Sequence, residues 1–316
     1  LHPRVRRQRQ MCIRDRAYGF KGAMFPWESD DYGEESTPTF ALTGPLEHHI
    51  TADISIACWN YYCLTRDGQW LRAKAFPLMK AVADFWVSRV TRNDDGSYSI
   101  CNVVGADEYA NGVDDNAFTN GAAIRALEYA CEAAKICNEP VPEIWEEVGK
   151  GIRILRFKDG VTREHATYNG EMIKQADVNL LGYPLYFVGD AESQKKDMEY
   201  YVDKIDPQNG PAMSYSVFCV QYARMGDAKR AYEMFCRCYQ PNLRAPFGVL
   251  AETPTSDNPY FMTGAGGLLQ AVINGFCGLQ ITDGGVEQLS SVLPAHWKKV
   301  TVKGVEPEKK MYVRER

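Results

Sequence analysis

The sequence predicts a helical chain that gives way to a short β-rich end. Three observations carry this. Apolar residues recur at three-to-four spacing in one segment after another between Ile50 and Gly275. No fixed repeat period relates those segments. From Leu279 onward, short alternating runs punctuated by glycine and proline replace the helical pattern. A string of paired helices builds either a solenoid or a closed toroid of hairpins, and the missing repeat argues against the solenoid.

Along the chain, residues 18 to 45 are rich in Gly, Pro, Ser and Glu and read as an extended loop. A helix is predicted over Ile50 to Leu64 with Thr51 or Asp53 near its start, and a longer one over Gln69 to Val90 with a kink at Pro77. Asn93-Asp94-Asp95-Gly96 is a turn, and Ser97 to Val104 reads as a strand or extended loop. Helical periodicity returns over Asn116–Ile136, Val141–Ile154, Gln175–Val188, Ser193–Ile205, Met213–Met225, Asp227–Cys238 and Thr263–Gly275, which makes about nine helices. Beyond Leu279, Lys299–Val302 and Met311–Val313 alternate as strands do.

With 45% hydrophobic and 24% charged residues, the chain has the composition of a globular protein able to bury one sizeable core. It contains no run of 18 apolar residues, so no membrane span is expected. The net charge of −5 conceals a basic start: residues 1–16 hold six arginines and one aspartate, leaving −10 for the remainder. That balance argues against a nucleic-acid-binding body. Segment 1–16 reads either as a basic arm or, because Met11–Arg16 looks like a translated sequencing adapter, as a stretch foreign to the fold; the second reading is preferred.

Ten cysteines are present, none as Cys-x-x-Cys, and Cys58, Cys63, Cys131, Cys219, Cys236 and Cys277 sit in helix-like segments. They read as buried thiols, and their abundance leans towards a reducing compartment. The histidines (His2, His48, His49, His165, His296) lack metal-ligand spacing, and the adjacent pair would face different sides of a helix. No structural zinc is expected.

The chemistry-bearing stretch is Val103-Val104-Gly105-Ala106-Asp107-Glu108-Tyr109, followed closely by Val113–Asn120. An acid in a short turn between helical segments is where a carboxyl group can be partly desolvated and kept protonated for general-acid work. Alone, the Asp-Glu-Tyr triplet is equally a solvated turn. Its company is Gly22-Ala23-Met24-Phe25-Pro26-Trp27-Glu28-Ser29 upstream, with Lys174-Gln175-Ala176-Asp177-Val178 and Thr263-Gly264-Ala265-Gly266-Gly267 downstream. This ordered set resembles glycoside hydrolase family 65, a family of inverting α-glucoside phosphorylases with a smaller group of inverting hydrolases. The resemblance runs from about Tyr18 to the C-terminus.

The resemblance implies an all-α class: an (α/α)6 toroid over residues 17–278, incomplete at its N-terminus because fewer than twelve helices are counted, then a small C-terminal β-domain over 279–316. The family's N-terminal β-sandwich and its upstream Trp-Asp pair find no counterpart. It also implies roles. Glu108 matches the general acid, with Asp107 beside it as a like charge able to raise its pKa and Tyr109 next in line. Trp27 and Glu28 match the pair that holds the glucose ring, and Lys174 and Gln175 match donors to the same sugar. Glu252 stands where the family's hydrolases carry their base. Each has a plainer reading, as a core tryptophan, a surface acid or a solvated helix start. Tyr32 and Phe261 are further candidates for the cleft wall.

Inversion requires two carboxyl groups roughly 6.5–9.5 Å apart, one protonating the leaving oxygen and the other deprotonating a water. The family's phosphorylases replace that water with phosphate, held by basic and hydroxyl side chains before the late glycine-rich helix. Here no Lys or Arg lies between Arg244 and Lys298, and the only histidine there is His296. Thr263–Gly267 lacks the Gly-Lys-Ser/Thr of a P-loop and reads as tight packing of loop and helix. The function expected is therefore an inverting exo-α-glucosidase acting on a terminal α-linked glucose, α-1,2-linked as the resemblance to the family's hydrolases implies, with a saccharide as partner and neither metal nor organic cofactor. A phosphorylase releasing β-glucose 1-phosphate is the second reading, and an inactive sugar-binding or scaffold protein the third.

Overall fold

The computed structural model describes residues 19–187 and 190–316, so segment 1–16, singled out by its charge, lies outside the described residues. Backbone contacts group the described residues into two compact units. One holds the residues up to Tyr62 with Arg66–Phe157 and Thr162–Tyr168; the other holds Cys63–Thr65, Lys158–Val161 and Asn169–Arg316.

In the first unit the elements run α1 (Thr43–Leu46), α2 (His49–Thr65), α3 (Gly68–Trp70), a π turn (Leu71–Ala75), α4 (Phe76–Arg89), the paired β1 (Thr91–Arg92) and β2 (Tyr98–Ser99), α5 (Ala117–Cys137) and α6 (Glu143–Gly151). The departure from α geometry lies ahead of Pro77, in the π turn. Phe76 N–H donates back to the Leu71 carbonyl, and Pro77 then sits in the first turn of α4, where its missing N–H costs nothing. Asn116 caps α5 by accepting from Thr119 N at 2.9 Å. Helix α5 packs against both α4 and α6. Leu71, Met79, Phe85, Trp86, Ile100 and Leu127 are wholly buried, and Trp145 nearly so, donating from Nε1 to Asp84 at 3.1 Å.

Helix α2 covers the helix read over Ile50 to Leu64, with Thr51 and Asp53 near its start; it has no side-chain cap, and Asp53 bonds His49. Ser97 to Val104, read as a strand or extended loop, holds the two-residue strand Tyr98–Ser99 followed by irregular chain.

Gly22 fastens the entering chain to α4. Its φ is +82°, and Ala23 N–H donates to the Ala81 carbonyl at 2.9 Å. A Cβ at Gly22 would lie 2.1 Å from that same carbonyl oxygen and 2.5 Å from Phe85 N. The obstacle is helix backbone, which has little room to yield. Gly22→Ala is therefore expected to destabilise the fold by about 3 kcal/mol, read as a fall in the urea midpoint at unchanged m-value.

The second unit runs from a 3-10 turn (Val178–Leu181) through α7 (Ala191–Tyr201), α8 (Met213–Arg224), α9 (Ala228–Arg237), the short hairpin β3 (Leu243–Arg244) and β4 (Val249–Leu250), α10 (Met262–Gln270) and a π segment (Ala271–Phe276). Two hairpins follow: β5 (Leu279–Thr282) with β6 (Gly285–Gln288), and β7 (Lys299–Val305) with β8 (Lys310–Glu315). The change of pattern read at Leu279 is where β5 begins. All four sheets among the described residues are two-stranded and antiparallel.

Asp190 and Asp227 cap α7 and α9 through Ser193 N and Arg230 N. Helix α8 packs against α9, α10 and the π segment, with Phe218 and Phe276 wholly buried. The helix expected over Gln175–Val188, whose last residue lies outside the described residues, is reduced to a 3-10 turn at Val178–Leu181. Ala176 N–H donates to Ser214 Oγ at 3.1 Å, and Gly182 and Pro184 break the run, because proline supplies no N–H and pushes the preceding residue out of the helical region. The described cysteines carry free thiols, and burial pushes the Cys238 thiol up to about 12.

Candidate active site

The first unit carries Trp27, Glu28, Asp107, Glu108 and Tyr109. The loop bearing Trp27 is tied down by Glu35, whose carboxylate accepts from the backbone N–H groups of Trp27 and Glu28, both at 2.9 Å, and from Thr37 Oγ1 at 2.6 Å. Trp27 is half-buried and Glu28 exposed. Behind Trp27 stands His49, edge to face with the indole at 5.6 Å between centroids and against Phe118 at 4.9 Å.

His49 is bracketed by two acids, Nδ1 to Asp53 Oδ2 at 2.8 Å and Nε2 to Glu47 Oε1 at 2.9 Å. Burial alone would drive the ring neutral, but Asp53 and then Glu47 outweigh it. The pKa is pushed up to about 10, so the ring is an imidazolium donating from both nitrogens at neutral pH. His48 turns elsewhere, its Nε2 to the Pro45 carbonyl at 2.8 Å and its Nδ1 accepting from Arg89 Nε at 3.0 Å.

The acid turn is closed by backbone bonds. Val103 and Val113 exchange two at 2.9 Å, Gly105 N donates to Ala110 O at 3.2 Å, and Ala110 N to Asp107 O at 2.9 Å. Asp107 is only 2% exposed and accepts from Tyr109 N at 3.2 Å, which makes it part of the turn's own framework. Glu108 is half-buried and Tyr109 exposed; the Glu108 carbonyl accepts from Asn111 Nδ2 at 2.6 Å. The turn therefore keeps Asp107 inside and leaves Glu108 and Tyr109 more accessible.

Close by in sequence, the buried Asp115 accepts from Arg153 Nη2 at 2.5 Å and from Ser99 Oγ at 3.1 Å. Asp115→Ala takes the carboxylate away from Arg153, which keeps its bond to Ser99 Oγ at 2.6 Å, and is expected to cost about 3 kcal/mol, the low end for a buried pair because Arg153 also keeps partial access to water. Chemical denaturation checks it.

The second unit carries Lys174, Gln175 and Glu252. Lys174 Nζ lies 3.9 Å from Glu252 Oε1, with the Glu252 side chain about one-third exposed; Gln175 is 5% exposed. A pair this open and long adds little stability, at most about 1 kcal/mol, so its weight is in placing a cation beside the carboxylate. The Glu252 carbonyl accepts from Asn242 Nδ2 at 3.0 Å and Ala212 N at 3.2 Å. Arg244 donates from its two terminal nitrogens to the carbonyls of Pro241, Leu243, Thr253, Pro254 and Ser256.

The glycine-rich Thr263–Gly267 lies within α10 and serves packing. A Cβ on Gly267 would meet Ser216 Oγ at 2.5 Å, and Gly264 sits against the Phe261 ring and Ala212. Tyr32 is 66% exposed.

The sequence reading assigned no role to Glu35, His49 or Arg244. For His49 a signal was present, since Glu47 and Asp53 stand at i−2 and i+4 of a helix start. Arg244 works through backbone carbonyls, which no residue pattern announces.

Among the described residues no group of three His, Cys, Asp or Glu side chains is disposed to hold a metal ion, and no helix is long and apolar enough to cross a membrane. Residues 1–150 match the glycosyl hydrolase family 65 central catalytic domain. Over 297 residues the chain is 52% identical to a kojibiose hydrolase of Mucilaginibacter mallensis, covering 94% of this chain and 44% of that protein. Over 275 residues it is 41% identical to a protein-glucosylgalactosylhydroxylysine glucosidase of Dictyostelium discoideum, covering 85% of this chain and 38% of that one. The chain thus spans less than half the length of either relative.

A solved structure assigned as a kojibiose phosphorylase, from human microbiome, superposes with a TM-score of 0.77 at 17% identity, covering 99% of this chain and 51% of the other. At that identity the likeness speaks for the fold alone. The mostly helical architecture with small terminal β-hairpins, the matched catalytic-domain model and the relatives at 41% and 52% identity agree: this chain belongs to glycoside hydrolase family 65.

Proposed function

We propose that the protein carrying this chain is an inverting exo-α-glucosidase that hydrolyses a terminal α-linked glucose, α-1,2-linked, from a disaccharide or glycoconjugate. Residues 17–278 are assigned to an (α/α)6 toroid and 279–316 to a β-domain. Glu108 protonates the glycosidic oxygen as the C1–O bond breaks. Glu252 takes a proton from the water that attacks C1 on the opposite face, and β-glucose leaves. Trp27 and Glu28 hold the glucose ring together with Lys174 and Gln175, while Asp107 and Tyr109 complete the acid turn. The half-buried setting of Glu108 beside an exposed Tyr109 suits a group that must meet substrate.

One observation carries hydrolysis over phosphorolysis. A phosphate dianion needs charge-assisted donors, and the one arginine in the Glu252 loop has its terminal N–H groups engaged by five backbone carbonyls. Lys174, the cation 3.9 Å from Glu252, is shared with that carboxylate. The names of the two relatives, a kojibiose hydrolase and a glucosylgalactosylhydroxylysine glucosidase, support both the reaction and an α-1,2 preference.

The test is to incubate the full-length protein with α-1,2-, α-1,3-, α-1,4- and α,α-1,1-linked glucobioses, with and without phosphate. Fastest release of glucose from the α-1,2 compound, unchanged by phosphate, is expected. Phosphate-dependent glucose 1-phosphate would move the protein to the phosphorylases, and binding without turnover to the sugar-binding reading.

A further inference from the structure

We infer that Arg244, together with the buried Asn242, is a positioning residue pair for Glu252, an inference that rests on the reading of Glu252 as the base. Glu252 lies beyond β4 in an irregular segment, where carbonyl groups have no strand or helix partner and must be satisfied some other way. Arg244 supplies the partners. Its Nη1 donates to Pro241 O at 3.0 Å and Leu243 O at 3.2 Å, and its Nη2 to Thr253 O at 3.2 Å, Pro254 O at 2.8 Å and Ser256 O at 2.7 Å. Three of the five acceptors lie within the four residues that follow Glu252.

Asn242, 2% exposed, holds the other side. Its Nδ2 donates to Ala251 O at 3.1 Å and Glu252 O at 3.0 Å, and its carbonyl accepts from Ala251 N at 2.8 Å. The β3–β4 pairing of Leu243 with Leu250 and Arg244 with Val249 joins the two flanks. The backbone on both sides of Glu252 is thereby fixed to the stretch Pro241–Arg244, with Ala212 N adding a further bond to the Glu252 carbonyl at 3.2 Å. The side chain itself stays about one-third exposed, with Lys174 beside it at 3.9 Å, so its aim depends on that backbone. A displacement of about 1 Å in a reacting group lowers turnover by about 10²-fold. Only the planar fork of a guanidinium reaches so many carbonyls at once; a lysine ammonium keeps the charge and loses the fork.

The test uses the full-length protein with Arg244→Ala, Arg244→Lys, Glu252→Gln and the Arg244→Ala/Glu252→Gln double variant, assayed for kcat and KM on an α-1,2-linked glucobiose. Arg244→Ala is expected to lower kcat about 10²-fold with KM within about threefold, and Arg244→Lys to lie between it and the wild type. In the Glu252→Gln background the same Arg244→Ala change should alter the residual rate less than about twofold, because a residue acting through Glu252 has nothing left to act on. Should Arg244→Ala fail to fold, Arg244→Lys carries the same comparison.

Wild-type kcat in folded Arg244→Ala alongside an inactive Glu252→Gln would overturn the positioning role while leaving the base intact. An equal fall in both backgrounds would also overturn it, placing the effect of Arg244 elsewhere. Normal turnover by Glu252→Gln would instead remove the base, and the inference with it.

Discussion

Glu108→Gln and Glu252→Gln are each expected to lower kcat on an α-1,2-linked glucobiose by about 10³-fold, the scale at which a positioned acid or base contributes. Neither side chain lies in the buried core, so both variants should keep thermal stability within about 0.5 kcal/mol of the wild type. The two losses differ in kind, and a change of leaving group separates them. With α-glucosyl fluoride the departing fluoride needs no proton, so Glu108→Gln should recover most of its rate. Glu252→Gln should recover none, because water must still be deprotonated. Near-normal turnover of the disaccharide by either variant would strike that residue from the mechanism.

His49→Gln is expected to be the most destabilising single change in the first unit, by about 3–5 kcal/mol near pH 6.5, because it leaves the Glu47 and Asp53 carboxylates facing one another without their cation. The pH dependence has a definite sign. His49 is raised from 6.5 to about 10, so in the wild type its contribution is fully present below pH 6.5 and is lost as pH rises towards 10. The stability gap between wild type and variant should therefore narrow from pH 6.5 to pH 10. Groups that titrate in both proteins cancel in the difference. Urea unfolding of the pair at several pH values reads it directly, and a gap that stayed constant or widened would mean that the ring is not held as a cation. Because Trp27 packs against this ring at 5.6 Å, a rise in KM for glucosides in the same variant would tie the ion cluster to the sugar site.

Much of the fold could be read in the residues because the physics is local. Asn116 and Asp227 open helices read from apolar periodicity and do cap them there. The π turn Leu71–Ala75 ahead of Pro77 had no signal in the spacing. The misread stretch is Gln175–Val188, where apolar spacing outweighed Gly182 and Pro184 although the backbone at Ala176 already bonds Ser214. The hairpins at Thr91–Ser99 and Leu243–Leu250 pair two residues per strand, too few to show alternation.

At the candidate site the limit is of a different sort. Trp27, Glu28, Asp107, Glu108, Tyr109, Lys174 and Gln175 came from ordered motifs, and Glu252 from its position in the family resemblance. The groups that hold them came from contacts far apart in the chain or made to backbone. Glu35 binds the N–H groups of Trp27 and Glu28, and Arg244 binds carbonyls around Glu252, and neither bond depends on the side chains being held. The support beneath the motif residues is written in hydrogen bonds that many sequences can supply.

The measurement that tests the account most directly is proton NMR of the full-length protein acting on an α-1,2-linked glucobiose in phosphate-free buffer, recorded before mutarotation erases the product's configuration. The account predicts β-glucose as the first-formed anomer at the non-reducing unit, at a rate that added phosphate does not change. First appearance of the non-reducing unit as α-glucose, in excess of the α/β mixture freed from the reducing unit, would contradict it, since a base-activated water attacking opposite the leaving oxygen cannot give that anomer.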